Sequence, residues 1–302
     1  MTGAPTSAVT PLVGFVGFIG VVGFSLTLPI TASAVGNIGP ELAGPGRTVL
    51  AAVLAIVMLL ATRNRLLPSR REALSVLIVA AGCVIGFPLL TAHALESVSA
   101  SHSAVTLALV PAATAVVGVV RTKERPSARF WCWCVLGTGL AIGYLVSRAD
   151  GVLGRGDVEL FFAVIVCAIG YAEGAVLSKR ISAWVVTCWS VVVGAPVALV
   201  IVLVVGVPDD LRVTASTVLA FTYLALGSAV GASVAWYWAM ARGGIARVGQ
   251  IQLLQPLLTM LFAGLLLGER LDPWMFLVGT GVAMSVLMAQ KTRVRAPASA
   301  VR

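Results

Sequence analysis

Ten apolar runs, each about as long as a bilayer crossing, decide what this chain can fold into. They cover roughly 11–30, 42–61, 73–92, 103–120, 129–147, 159–178, 183–205, 214–241, 248–267 and 273–290. A helix needs about 20 residues to span the hydrocarbon core, and only the eighth run is clearly longer, as a tilted or extended span would be. Lipid offers no water to satisfy backbone N–H and C=O groups, so such runs close their hydrogen bonds internally as helices. Hydrophobic residues make up 59% of the chain and charged residues 11%, against about 25% charged in soluble domains. The expected fold class is an all-α membrane protein. Residues 1–10 carry no Lys or Arg, and no cleavage site follows the first run. That run reads as a retained helix, not a signal peptide.

The net charge of +9 would suit a nucleic-acid partner, but its distribution assigns it to topology. With both termini cytoplasmic, the inner segments hold sixteen of the twenty-one Lys and Arg residues, from Arg63 and Arg65 to Arg295 and Arg302. The outer segments hold Arg148, Arg155, Arg212 and Arg270, and Arg47 lies inside the second run. This bias is the positive-inside rule, and it orients the chain N-in and C-in across the cell membrane. No nucleic acid is expected.

An internal repeat adds a second constraint. Leu109-x-Pro111-x-x-Thr114, nine residues and Glu124-Arg125 recur 145 residues later as Leu254-x-Pro256-x-x-Thr259, nine residues and Glu269-Arg270. The next run carries Gly-Thr-Gly both times, after Leu136 and after Val278. Five runs separate the copies, and five is odd, so the copies cross the membrane in opposite directions. Ten transmembrane helices in two inverted five-helix repeats follow, over 11–147 and 159–290, with a basic cytoplasmic tail at 291–302. Two such halves can exchange inward- and outward-facing forms around a midplane site.

With these motifs in place, the chain resembles the drug/metabolite transporter superfamily, EamA type, over about residues 11–290. The strongest match is Leu254-Leu-Gln-Pro-Leu-Leu-Thr through Gly268-Glu269-Arg270-Leu, followed by Val278-Gly279. The first copy departs from it, with Lys123 in place of the glycine before Glu124 and a Gly-Thr-Gly three residues later. The resemblance implies ten helices in two inverted halves, a central cavity between them, and export or exchange of small organic solutes.

Several residues inside the runs are candidates for the work. Pro111 and Pro256 sit near the middle of the fourth and ninth runs, at equivalent positions. Proline bends a helix and frees a carbonyl, so each is either a hinge or cavity wall or a tolerated kink. Glu173 lies in the sixth run between Gly170 and Gly174. An acid in the membrane usually faces protein or water; Glu173 is either a proton or cation site or an interfacial partner of Lys179 or Arg180. Gln252 and Gln255 share one helix face and suit a polar or zwitterionic solute, since amides both donate and accept. The first copy has Leu107 and Val110 there, which favours a solute site over symmetric packing. Tyr171 and Trp189 are deep enough to line the same pathway.

Other features have plainer readings. Arg47, His93, Glu96 and His102 fall near outer ends of the second to fourth runs; they read either as an outer-mouth cluster in which His titrates near neutral pH or, more simply, as side chains snorkelling to the interface. Trp131, Trp133, Trp184, Trp236, Tyr237, Trp238 and Trp274 read as an aromatic belt. Gly82-x-x-x-Gly86, Gly139-x-x-x-Gly143 and Gly227-x-x-x-Gly231 read as close-packing seams. The five cysteines lack CxxC spacing, so neither metal nor redox chemistry is expected.

No cofactor is implied. Neither HExxH nor GxSxG is present, so an enzyme is not expected, and without a P-loop the chain is not a self-contained primary pump. The expected function is secondary transport of small organic solutes such as metabolites, amino acids or drugs by alternating access, with proton coupling as an option. The alternative is a membrane scaffold or assembly protein. Expected partners are a small-molecule solute and membrane lipid, with protons and a second copy of the chain as open cases.

Overall fold

The computed structural model describes residues 10–147, 154–206, 211–268, 274–292 and 294–295. Glu269-Arg270, Asp209-Asp210 and most of the basic tail lie outside the described residues.

The first two apolar runs form one helical stretch, Pro11–Ala61, made of α1 (Pro11–Ser25), α2 (Thr27–Glu41), a π-helical segment (Leu42–Gly46) and α3 (Arg47–Ala61). The helix is kinked at Gly39, whose φ of 75° and ψ of 161° leave the helical region. Glycine tolerates that φ because it has no Cβ to clash. Next come α4 (Arg70–Val79), a π-helical segment (Ala80–Gly86) and α5 (Phe87–Ala94), continuous over 25 residues. Ser69 and Glu72 close a reciprocal capping box at the start of α4, with the Ser69 N–H donating to Glu72 Oε2 at 2.8 Å.

The fourth run is broken into α6 (Ala100–Leu107) and α7 (Val110–Thr122), followed by α8 (Ala128–Val146). The second half of the chain contributes α9 (Arg155–Ser178) and α10 (Ala183–Val205). Then α11 (Ala215–Thr222), a π-helical segment (Tyr223–Ala232) and α12 (Ser233–Gly243) run on without interruption. The ninth run is α13 (Ile245–Gly249), a 3₁₀ segment (Gln250–Leu254) and α14 (Gln255–Leu267), and α15 (Trp274–Lys291) follows. Among the described residues, six helical stretches are long and apolar enough to cross a membrane. The described strands are two short pieces, β1 (Arg125–Pro126) and β2 (Val294–Arg295), paired antiparallel with Arg125 opposite Arg295.

Equivalent helices of the two halves pack on each other. α6 lies on α14, α7 on α13, and α8 on α15. The first part of one broken helix therefore meets the second part of its counterpart, an antiparallel arrangement. α9 packs against α5, α7 and α12. Its close approach depends on missing side chains: a Cβ on Gly174 would lie 2.5 Å from the Tyr237 ring, and one on Gly170 would strike Cys83 Sγ.

The expected glycine seams separate into two groups. A Cβ on Gly82 would collide with the Val166 carbonyl of α9, so that seam is real. A Cβ on Gly139 or Gly143 would meet nothing within 4 Å, and one on Gly227 or Gly231 would meet only its own helical segment. Those four glycines relieve no contact between helices. Trp236 and Tyr237 also depart from expectation: both are buried, not at an interface. On α12, Trp236 packs against Phe24 of α1 and Tyr171 of α9, and Tyr237 against Tyr171 and Gly174 of α9, contacts that periodicity alone does not single out.

Polar groups collect at two ends of the bundle. One end joins Lys179 to Glu124 at 3.7 Å, Arg121 to Glu173, and Arg125 to Arg295 through the β1–β2 pair. The other joins His93 to Glu41 at 3.4 Å, and the Arg212 N–H donates to the Asn37 carbonyl at 3.0 Å.

Candidate functional site: a central cavity with a buried arginine

Breaks and wide turns in five helices meet around one cavity. Arg47 follows directly on the π-helical segment Leu42–Gly46; Cys83 and Val84 come from Ala80–Gly86, and Ser228 and Ala229 from Tyr223–Ala232. Leu107 and Val110 flank the α6–α7 break, and Gln252 and Gln255 occupy the matching break before α14. π-helical turns recur at functional sites, and irregular backbone at membrane depth is tolerated where it borders protein or a cavity.

The two breaks are near copies. Leu109 (φ −77°, ψ −20°) precedes α7, and Leu254 (φ −78°, ψ −19°) precedes α14. Each helix then runs 13 residues, has its proline in the first turn, and ends on a left-handed residue: Lys123 (φ 58°) or Gly268 (φ 72°). Proline is well placed there, because the first N–H groups of a helix have no internal partner. Pro111 and Pro256 thus open new helices instead of bending continuous ones.

The chemistry of the two breaks differs. Leu107 and Val110 give the cavity an apolar wall, and Gln252 and Gln255 an amide wall. The 3₁₀ geometry of Gln250–Leu254 eclipses side chains three apart. It lets Gln252 Nε2 donate to Gln255 Oε1 at 3.0 Å and leaves Gln252 Oε1 buried without a partner. Tyr171 of α9 completes another part of the wall, with its ring 5.8 Å from Phe24, 5.9 Å from Trp236 and 6.2 Å from Tyr237.

Arg47 is the one charged side chain among the described residues of the wall. It is 4% exposed, and its Nε has no hydrogen-bond partner. A lone buried cation costs several kcal/mol after relaxation, so the site is built around an uncompensated charge. The space open to the centre of a water molecule is about 40 Å³. That is well below the roughly 150 Å³ of an apolar cavity that takes up benzene. A cavity of that size must widen to admit an organic solute.

Glu173 stands outside this wall. Arg121 Nε donates to its Oε2 at 2.6 Å, Arg121 Nη2 to its Oε1 at 3.0 Å, and Ser75 Oγ to Oε1 at 2.6 Å. Its partner is Arg121 of the first half, whereas Lys179 engages Glu124. Trp189 is also away from the wall, and its indole N–H donates to the Arg65 carbonyl at 2.7 Å. Of the residues singled out in the sequence, the wall brings together Tyr171, Gln252 and Gln255; Glu173, Trp189, Pro111 and Pro256 lie elsewhere.

Position in the run puts Arg47 at the interface, but the structure buries it at the cavity. One cue points inward: it follows Gly44-Pro45-Gly46, which allows a wide turn.

A bundle of long apolar helices, with paired helix breaks around a small cavity of mixed polar and apolar lining, is the architecture of a multi-pass membrane protein. The EamA-like transporter family matches twice, over residues 12–146 and 154–289. The chain belongs to that family, and so to the drug/metabolite transporter superfamily. It is 39% identical over 278 residues to the Uncharacterized transporter YdeK of Bacillus subtilis (strain 168), covering 92% of this chain and 96% of that protein. A crystal structure superposes with a TM-score of 0.75 at 17% identity, over 93% of this chain and 98% of the other. At that identity the likeness speaks to the fold alone.

Proposed function

We propose that the chain is a secondary transporter of small organic solutes, working by alternating access in the cell membrane. Ten helices form two inverted five-helix halves, 11–147 and 159–290, with both termini cytoplasmic. The observation that carries this reading is the pair of matched breaks, at Leu109-Val110-Pro111 and Leu254-Gln255-Pro256, which both border one small cavity through Leu107, Val110, Gln252 and Gln255. Inverted halves with discontinuous helices at the site are how many transporters exchange inward- and outward-facing forms. The antiparallel packing of α6 on α14 and α7 on α13 supports the inversion.

In this reading Tyr171, Gln252 and Gln255 contact the solute, and Pro111 and Pro256 preset the breaks about which the halves move. The Arg121–Glu173 pair closes the inner end and the Arg212–Asn37 contact the outer end. The chain performs transport and no covalent chemistry.

Proteoliposomes loaded with a mixed metabolite and drug panel test the function. Time-dependent exit of at least one solute, beyond that from protein-free vesicles, is the expected result. Repeating the measurement across a pH gradient tests proton coupling. A protein that moves no solute in either direction is a scaffold.

A further inference from the structure

Arg47 sits in the cavity wall without a counter-ion. No Asp or Glu is among the described residues lining the cavity. Tyr171, in the same wall, carries a phenol that is uncharged at neutral pH. The neighbouring hydroxyls do not neutralise it either: Thr187 Oγ1 donates to the Ala183 carbonyl, Ser190 Oγ to the Val186 carbonyl, and Thr27 and Ser228 share a hydrogen bond. The cavity also has an apolar surface that includes Leu107, Val110 and Phe87.

We propose that the cavity selects organic anions, with the solute's acidic group on the Arg47 guanidinium and its hydrocarbon body against the apolar wall. Guanidinium binds carboxylate through parallel charge-assisted hydrogen bonds, which are among the stronger ones. The solute supplies the counter-charge that the protein lacks, so binding relieves a cost already present in the empty site. A cation meets the opposite situation, because it faces Arg47 with no carboxylate to receive it. The orphaned Gln252 Oε1 adds an acceptor for a neutral donor elsewhere on the solute. This deepens the transporter reading, since the ligand of the wall is taken to be the solute carried.

The test compares three ligands that differ only in head group: 4-methylpentanoate, 4-methylpentan-1-ol and 4-methylpentan-1-amine. Each is titrated at pH 7 against the purified full chain in detergent, with affinity read by calorimetry and by the shift in thermal unfolding. The anion is expected to bind about tenfold or more tighter than the alcohol, with the amine weakest. Arg47→Gln is expected to keep the fold, because it removes a charge that nothing pairs, and to reduce the anion to the affinity of the alcohol. Arg47→Lys retains the sign preference with lower affinity. Equal binding of all three ligands by the unmodified protein, tighter binding of the amine, or no binding of the anion overturns the proposal without recourse to any variant. These are binding measurements, so they stand apart from flux: a protein that transports the alcohol or amine but ignores the anion remains a transporter and refutes the anion site.

Discussion

The Arg121 guanidinium grips the Glu173 carboxylate with two hydrogen bonds, 2.6 Å from Nε to Oε2 and 3.0 Å from Nη2 to Oε1. The pair joins α7 of the first half to α9 of the second. Arg121 is half exposed, whereas Glu173 is buried and also accepts from Ser75. The two partners are therefore unequal in what their loss should cost.

Arg121→Met strands a buried carboxylate, and such orphaned charges cost about 3 kcal/mol, less here for the water that reaches the exposed side. Glu173→Leu strands a guanidinium that can turn to solvent, at a cost of about 1 kcal/mol or less. The double variant should be more stable than Arg121→Met alone. Thermal unfolding of the four proteins in one detergent measures the coupling, and additive effects would dissolve the pair.

Gln252 and Gln255 should respond differently to leucine. Gln252→Leu removes a buried oxygen that lacks a partner but also the N–H that Gln255 Oε1 accepts, so gain and loss offset and stability should change by less than about 1 kcal/mol. Gln255→Leu instead takes away the acceptor of Gln252 Nε2, and costs about 1–3 kcal/mol. If both amides contact solute, flux per folded molecule should fall in each. Unchanged flux in Gln252→Leu would make this pair a packing feature.

The matching helix ends at Lys123 and Gly268 allow a third comparison. Both residues adopt positive φ, where a Cβ is strained by roughly 1–2 kcal/mol. Gly268→Val should lower stability by at least that amount, while Lys123→Gly should be neutral or mildly stabilising. Unfolding midpoints of the two variants check the sign, and a destabilised Lys123→Gly would mean that its side chain, not its turn, matters there.

Much of this architecture is legible in the sequence, because bilayer-length apolar runs leave the backbone little choice. The repeat announces the two breaks, since Leu-x-Pro-x-x-Thr has both helices restart at the same place. The amide wall is legible for a different reason: Gln252 and Gln255 interrupt a pattern that reads Leu107 and Val110 in the other copy. Arg47, Trp236 and Tyr237 escape such a reading because hydropathy records depth in a run, but not which face of the helix meets a neighbour. Glu173 pairs with a residue 52 positions away, and no local spacing carries that information. Its sequence neighbour Lys179 goes instead to Glu124.

Sidedness has its own test. Single cysteines at Arg65 and Glu96, in a background without the five native cysteines, should react with an impermeant maleimide from opposite sides of the membrane. Arg65 should label only from the cytoplasmic side, as its place in the basic loop requires. Labelling of both from one side would remove the inverted topology.

Alternation itself is tested by stapling each end of the bundle in turn. Short cross-linkers between cysteines at 124 and 179 would lock the inner end, where Glu124 and Lys179 lie 3.7 Å apart. Cysteines at 37 and 212 would lock the outer end, where the Arg212 N–H meets the Asn37 carbonyl. A reporter cysteine at Ser228, in the cavity wall, should then react only from the outside under the inner staple and only from the inside under the outer one. Each staple should stop solute flux in proteoliposomes, and cleaving the linker should restore it. Flux that continues with either end locked, or a reporter that reacts from both sides under one staple, would contradict alternating access through this cavity.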